Sequence, residues 1–318
     1  VVWRITQRCN LSCPFCEWDS RLPRERLHMP ANPILCFGKL LGDYQRQTND
    51  PVLLSWLGGE PTLWPPLYDL APEIKRLGIA QSTTTNGTTL GSAKVSTLIL
   101  ENFTELTVSV DGFSEFHDNM RAWSGGWEQL RQSVVVLAEK RSGNSPLKLR
   151  ANVVLMRDNI AVFPDLCEEL ANWGVDEITF NALGGRDRPE FFPAHRLRIE
   201  DVRWLADTFP ALKARMAERK VTLCGSEGYL ARIHASANNE PLFIQDCGPG
   251  QRFLFIDEFG RVSPCNFTTD RYAVHIDEIK SFEDLIALPT RFSQKRQQSL
   301  HAACADCPST QVFAKFSG

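Results

Sequence analysis

No run of Lys or Arg in this sequence exceeds a few residues, and 35 basic against 38 acidic side chains leave a net charge of only −3. That balance gives no electrostatic footprint for a nucleic acid or a membrane surface. Long apolar runs are missing too. The longest, such as Ser133–Ala138, fall far short of the roughly 20 residues that cross a bilayer. There is no internal repeat and no low-complexity tract, which excludes a solenoid and a disordered chain. No charged-then-apolar leader opens the sequence, which starts at Val1 rather than Met, so a cytoplasmic location is expected. With 318 residues, 43% of them hydrophobic, one large domain or a large and a small one can be buried.

Cysteine is not scarce: there are ten. In an intracellular chain of this length they read as metal ligands or as small buried hydrophobes rather than disulfides. Cys36, Cys167 and Cys224 stand alone among apolar neighbours and are expected in the core. The other seven form an N-terminal triplet and a C-terminal quartet.

From Val1 to about residue 183, β-rich runs alternate with amphipathic ones. Strands are expected at Val1–Thr6, Val52–Leu57, Ala80–Thr85, Glu105–Val110, Leu147–Leu155 and Asp176–Phe180. Helices are expected near 34–47, 67–77, 93–101, 127–139 and 162–173. Such alternation predicts parallel pairing with right-handed crossovers, and six units predict an α/β fold, a partial (β/α)6 barrel with its site at the C-terminal strand ends. Residues 184–246 read as a helical bridge that carries substrate contacts, with helices at 199–219 and 227–237. Residues 247–318 read as a small hairpin-and-helix domain, Arg252–Asp257 and Arg261–Pro264 turning at Gly260.

Cys9, Cys13 and Cys16 follow the first strand as CxxxCxxC. Three thiolates on one loop suit a 4Fe–4S cluster with one iron left open, whereas structural zinc closes with a fourth ligand and none lies nearby. This triplet, with Phe15 before its last cysteine, resembles the signature of the radical SAM superfamily. The resemblance implies that S-adenosylmethionine (SAM) chelates the open iron and is cleaved reductively to a 5′-deoxyadenosyl radical, with Phe15 against the adenine. Gly58-Gly59-Glu60-Pro61, closing the second strand, resembles the family's GGEP motif; Glu60 would hold the SAM amino group. Asn86 and Ser109 sit in segments similar to the family's TNG and S-x-DG, and Ser109 would meet the ribose or carboxylate. Arg150 and Asn152 share one face of the fifth strand and are candidates for the same pocket. His117 and Arg121 match a recurrent His-Asp…Arg segment; they are candidate catalytic residues, or a hydrogen-bond network that fixes a loop.

The quartet Cys247, Cys265, Cys304 and Cys307 can close a cluster completely, or bind zinc. It resembles the SPASM/twitch extension in its shorter twitch form, with one auxiliary 4Fe–4S cluster, similar to the butirosin-pathway alcohol dehydrogenase. Where sulfatase-maturing relatives carry a base after the second cysteine, this chain has Asn266; Asp246, Asp257 and Glu258 are the acidic alternatives, Asp246 being the catalytic candidate. An oxidoreductase acting on a hydroxylated small molecule (sugar, cyclitol or nucleoside) is expected, because few residues precede Cys9 to bind a peptide leader. The alternatives are a maturase of a short ribosomally made peptide and, remotely, a non-catalytic electron carrier. A flavodoxin- or ferredoxin-type reductant is the implied partner.

Overall fold

A computed structural model describes residues 1–141 and 146–316. Six parallel strands form its centre in sequence order: β1 (Val2–Thr6), β2 (Leu53–Gly58), β3 (Ala80–Thr85), β4 (Glu105–Ser109), β5 (Lys148–Leu155) and β6 (Glu177–Ala182). This is the α/β, partial (β/α)6 type of barrel expected from the alternation. Helices α1 (Ala31–Thr48), α2 (Leu67–Arg76), α3 (Ala93–Asn102), α4 (Ser114–Arg121), α5 (Gly126–Lys140) and α6 (Phe163–Asn172) make the crossovers. All but α4, whose buried positions are His117 and Arg121, bury an apolar stripe; on α1 the buried positions Ile34, Phe37, Gly38, Leu41 and Gly42 recur with helical period. Cys36 falls between them and is exposed, which corrects its expected place in the core, whereas Cys167 and Cys224 are buried.

Alternation on β5 separates the two faces. Leu149, Ala151, Val153 and Leu155 enter the hydrophobic core, while Arg150 and Asn152 take the other, inner face. Beyond β6, helices α7 (Ile199–Glu218) and α8 (Glu227–Ala237) flank a short seventh strand, Thr222–Leu223, that extends the parallel edge.

The C-terminal hairpin does not stand apart. Its first strand, β8 (Phe255–Ile256), pairs parallel with β1 and antiparallel with β9 (Arg261–Ser263), so the sheet runs unbroken through ten strands. Gly260 turns this hairpin at a φ of 75°, a conformation glycine adopts without steric cost. Glu258, in the turn, ion-pairs with Arg4 and accepts a hydrogen bond from Gln7, fastening the hairpin to the end of β1. No described helix is long and apolar enough to cross a membrane.

Candidate active site at the strand ends

Cys9, Cys13 and Cys16 lie on the loop leaving β1, and β2 comes close to them because Gly58 and Gly59 carry no side chain. A Cβ on Gly59 would sit 2.3 Å from the Arg8 carbonyl oxygen and 2.9 Å from the Cys9 nitrogen. Glu60 follows and is wholly buried. Its Oε1 accepts from the Thr62 amide, the Thr62 hydroxyl (2.6 Å) and the Thr85 hydroxyl (2.8 Å), and its Oε2 from the Asn86 amide (2.7 Å). Burial raises its pKa despite those donors. One Oε2 acceptor direction remains for a further donor, such as an ammonium group. Asn86 carries the chain of contacts onward, its Nδ2 standing 3.6 Å from Cys9 Sγ and donating to Asn10 Oδ1 at 3.0 Å.

The second wall comes from β4 and α4. Asp111 is fully buried and pairs with Arg121 (Nη2 to Oδ2, 2.6 Å) while accepting from the Val154 amide. Arg121 Nη1 lies 3.9 Å from Cys13 Sγ, and its guanidinium carbon 5.5 Å from the centre of the Phe15 ring. Ser109 ends β4, half-buried, in register with Asn152.

The three thiols sit where burial alone disfavours the charged form. It pushes Cys16 up to about 12 and raises Cys9 and Cys13, an effect that the Arg121 charge partly offsets at Cys13. Thiolates there require cationic partners, and metal binding would release the protons. Among the described residues no group of three or more His, Cys, Asp or Glu side chains converges tightly enough for a single ion. A zinc ion gathers thiolates at about 2.3 Å from one centre, whereas a four-iron cluster takes each at a separate iron. Three thiols on one loop are the donor set of a cluster that takes one thiolate per iron and leaves one iron open. In the C-terminal quartet burial is the main cause that raises Cys247, Cys265 and Cys307, and the charges of neighbouring cysteines add to it.

Three expected residues are placed differently. Arg150 is not at the C-terminal strand ends. It stands opposite Thr107 and Glu177, five residues before the end of β5, and pairs with Glu105 at 3.0 Å and with Glu177. Two carboxylates at that register hold it, so it serves the far end of the sheet rather than a SAM pocket. Asp246 is exposed and accepts from the Gly248 amide, the contact of a local turn. His117 is fully buried against Trp127 and Trp123, ring centres 6.0 and 6.5 Å away. Burial first, and Arg121 second, drop its pKa to about 3, unsuited to proton transfer at neutral pH.

That depression has a measurable consequence. A histidine kept neutral when folded binds fewer protons than the unfolded chain between pH 6.5 and about 3, so stability is lost as pH falls through that window. The full cost reaches about 4–5 kcal/mol. A His117→Phe variant should lose several kcal/mol of the wild-type drop in unfolding free energy between pH 7 and pH 4, measured by denaturant titration at each pH. An unchanged drop would show that other groups control the acid limb.

Sequence reasoning missed Lys315. Its Nζ enters the inner face of the sheet and donates to Asn152 Oδ1 at 3.0 Å and Asn181 Oδ1 at 2.9 Å, with Phe316 over Arg150. Asn152 is thereby committed to Lys315, Thr179 and Asn181. Nothing in the local pattern around Lys315 marks it, since its partners are more than 130 residues away.

Comparison with known proteins agrees with this arrangement. Residues 3–155 match the family model described as the radical SAM superfamily. The chain is 24% identical over 279 residues to the AdoMet-dependent heme synthase of Oleidesulfovibrio alaskensis, covering 84% of this chain and 69% of that protein. It is 25% identical over 271 residues to the PqqA peptide cyclase of Gluconobacter oxydans, covering 82% of this chain and 68% of that one. Streptococcus suis SuiB, solved bound to the precursor peptide SuiA, superposes with a TM-score of 0.69 at 15% identity, covering 99% of this chain and 70% of SuiB. Residues 3–155, just under half of the chain, match the radical SAM superfamily, and the relatives and the shared barrel make the chain similar to enzymes of that superfamily, whose members work with a 4Fe–4S cluster and SAM.

Proposed function

We propose that this enzyme matures a short, ribosomally made peptide. The observation that carries the reading is the likeness, over 99% of the chain, to a structure solved with a precursor peptide, joined by the sequence likeness to a peptide cyclase. The expectation of a sugar, cyclitol or nucleoside substrate has no counterpart among these relatives and gives way to the peptide. A tetrapyrrole is the second reading, favoured by the heme synthase likeness.

In this reading Cys9, Cys13 and Cys16 hold the SAM-binding cluster and Cys247, Cys265, Cys304 and Cys307 a twitch-type auxiliary cluster. When bound, the first supplies the electron that cleaves SAM and the second a site of one-electron exchange. Glu60 takes the SAM amino group on its remaining Oε2 direction, a charge-assisted hydrogen bond in a dry site. Thr62, Thr85 and the Asn86 amide fix that carboxylate before SAM arrives, so no reorganisation is needed on binding. Phe15, held against Arg121, offers its ring to the adenine. Residues 184–246 are left to meet the substrate.

The test is anaerobic turnover of the reconstituted, reduced protein with SAM and a peptide encoded beside its gene, followed by mass spectrometry. Loss of hydrogens from the peptide, matched by 5′-deoxyadenosine, is the expected result. A modified porphyrin in a parallel reaction, with the peptide untouched, would favour the second reading.

A further inference from the structure

We infer that Arg121 sets the reduction potential of the N-terminal cluster, with Asp111 as the counterweight that limits its effect. The inference rests on the reading that Cys9, Cys13 and Cys16 are the cluster ligands.

Arg121 ends α4, one turn after His117, and is 7% exposed. Residues four apart share a helix face, so the packing of His117 between Trp123 and Trp127 also fixes where Arg121 projects. The helix stops there because Ala122 takes a left-handed φ of 51°, a conformation costing an alanine about 1 kcal/mol or more. Its guanidinium thus reaches Cys13 Sγ on one side and Phe15 on another. Its Nε is buried with no hydrogen-bond partner, a donor left over after the Asp111 pair is made.

Reduction of a cluster adds one negative charge beside these groups, and net charge, hydrogen bonds to sulfur and exclusion of water are the protein's means of moving its potential. A permanent cation next to Cys13, in a site closed to water, favours the reduced form, because Coulomb interactions are weakly screened there. Asp111 pairs with the other terminal nitrogen of the same guanidinium and opposes it. Arginine keeps its charge at every working pH, so the bias is constant.

The two partners therefore have opposite signatures. The measurement is a redox titration of the reconstituted full-length protein, followed by electron paramagnetic resonance of the signal that SAM perturbs. Arg121→Met should disfavour one-electron reduction at least tenfold, a downward shift of about 59 mV or more. Arg121→Lys, which keeps the charge, should stay within a few-fold of wild type. Asp111→Asn should shift the potential upward. Should Arg121→Met fail to load iron, the Asp111→Asn and Arg121→Lys titrations still decide. Potentials unmoved in Asp111→Asn, or moved alike by Met and Lys at position 121, would reduce the pair to a structural one and overturn the inference. A SAM-perturbed signal that survives replacement of Cys9, Cys13 and Cys16 would instead overturn the ligand reading on which it rests.

Discussion

Replacing Cys9, Cys13 and Cys16 together with Ala should abolish 5′-deoxyadenosine formation and halve the iron, from about eight to about four per chain after anaerobic reconstitution. The loss should be complete rather than partial. Radical generation needs an iron that SAM can chelate, and in the two-cluster reading the C-terminal quartet would supply a thiolate for every iron. Folding should survive, because the loop that carries the triplet lies at the strand ends, outside the hydrophobic core. The complementary variant, Cys304 and Cys307 to Ala, should also retain about four irons. It should still cleave SAM but lose product, if the second cluster takes part in oxidation. If it only braces the C-terminal region, thermal stability and SAM cleavage should fall together with product. Wild-type protein with iron for one cluster, or with zinc in the quartet, would sink the two-cluster reading. Iron and zinc analysis alongside 5′-deoxyadenosine assay separates these outcomes.

Glu60→Ala should weaken SAM binding at least a hundredfold and lower stability by about 2–4 kcal/mol. The first effect follows from the proposed role of Glu60, since a buried carboxylate that would face the SAM ammonium is lost. The second follows from what Glu60 already holds in the protein: the amides of Thr62 and Asn86 and the hydroxyls of Thr62 and Thr85 would all lose an acceptor in a buried site. From the motif alone, Glu60 would be expected to touch SAM and leave the cluster spectrum nearly unchanged. The structure predicts otherwise, since Glu60 holds the backbone amide of Asn86, a residue whose side-chain Nδ2 stands 3.6 Å from Cys9 Sγ. Calorimetric SAM titration, denaturant unfolding and the cluster absorption spectrum, taken on one variant, check all three expectations. SAM bound as tightly as by wild type would remove Glu60 from the pocket.

Two other features bear on how the site is reached. The inner face of β5 and β6, where a substrate would approach, is occupied by the segment bearing Lys315 and Phe316, anchored by a hydrogen bond from Ser226 to the Phe313 carbonyl. Burial lowers the Lys315 pKa to about 7, so this amine loses its proton near neutrality while the residues that hold it, Asn152 and Asn181, stay uncharged.

The sequence by itself determined the six strands, their parallel order and most of the crossover helices, because each has either a β-rich run or a helical stripe within a short window. The cysteine spacings and GGEP were equally local: ligands and glycines on one tight loop leave their mark within eight residues. Helix α4 escaped that reading, being only eight residues long with a weak apolar stripe, although His117 and Arg121 four apart were a usable signal. Tertiary structure alone decided the rest. Strand period put Arg150 and Asn152 on one face, but only the register against Glu105 and Glu177 showed Arg150 at the wrong end of its strand for SAM. Only the packing of Trp123 and Trp127 turned His117 from a candidate acid–base group into a buried neutral one. The pairing of β8 with β1, the Arg121–Cys13 approach and the seat of Lys315 join residues 100 or more positions apart. Contacts over such distances depend on how whole elements pack, and no local pattern of residue types encodes them.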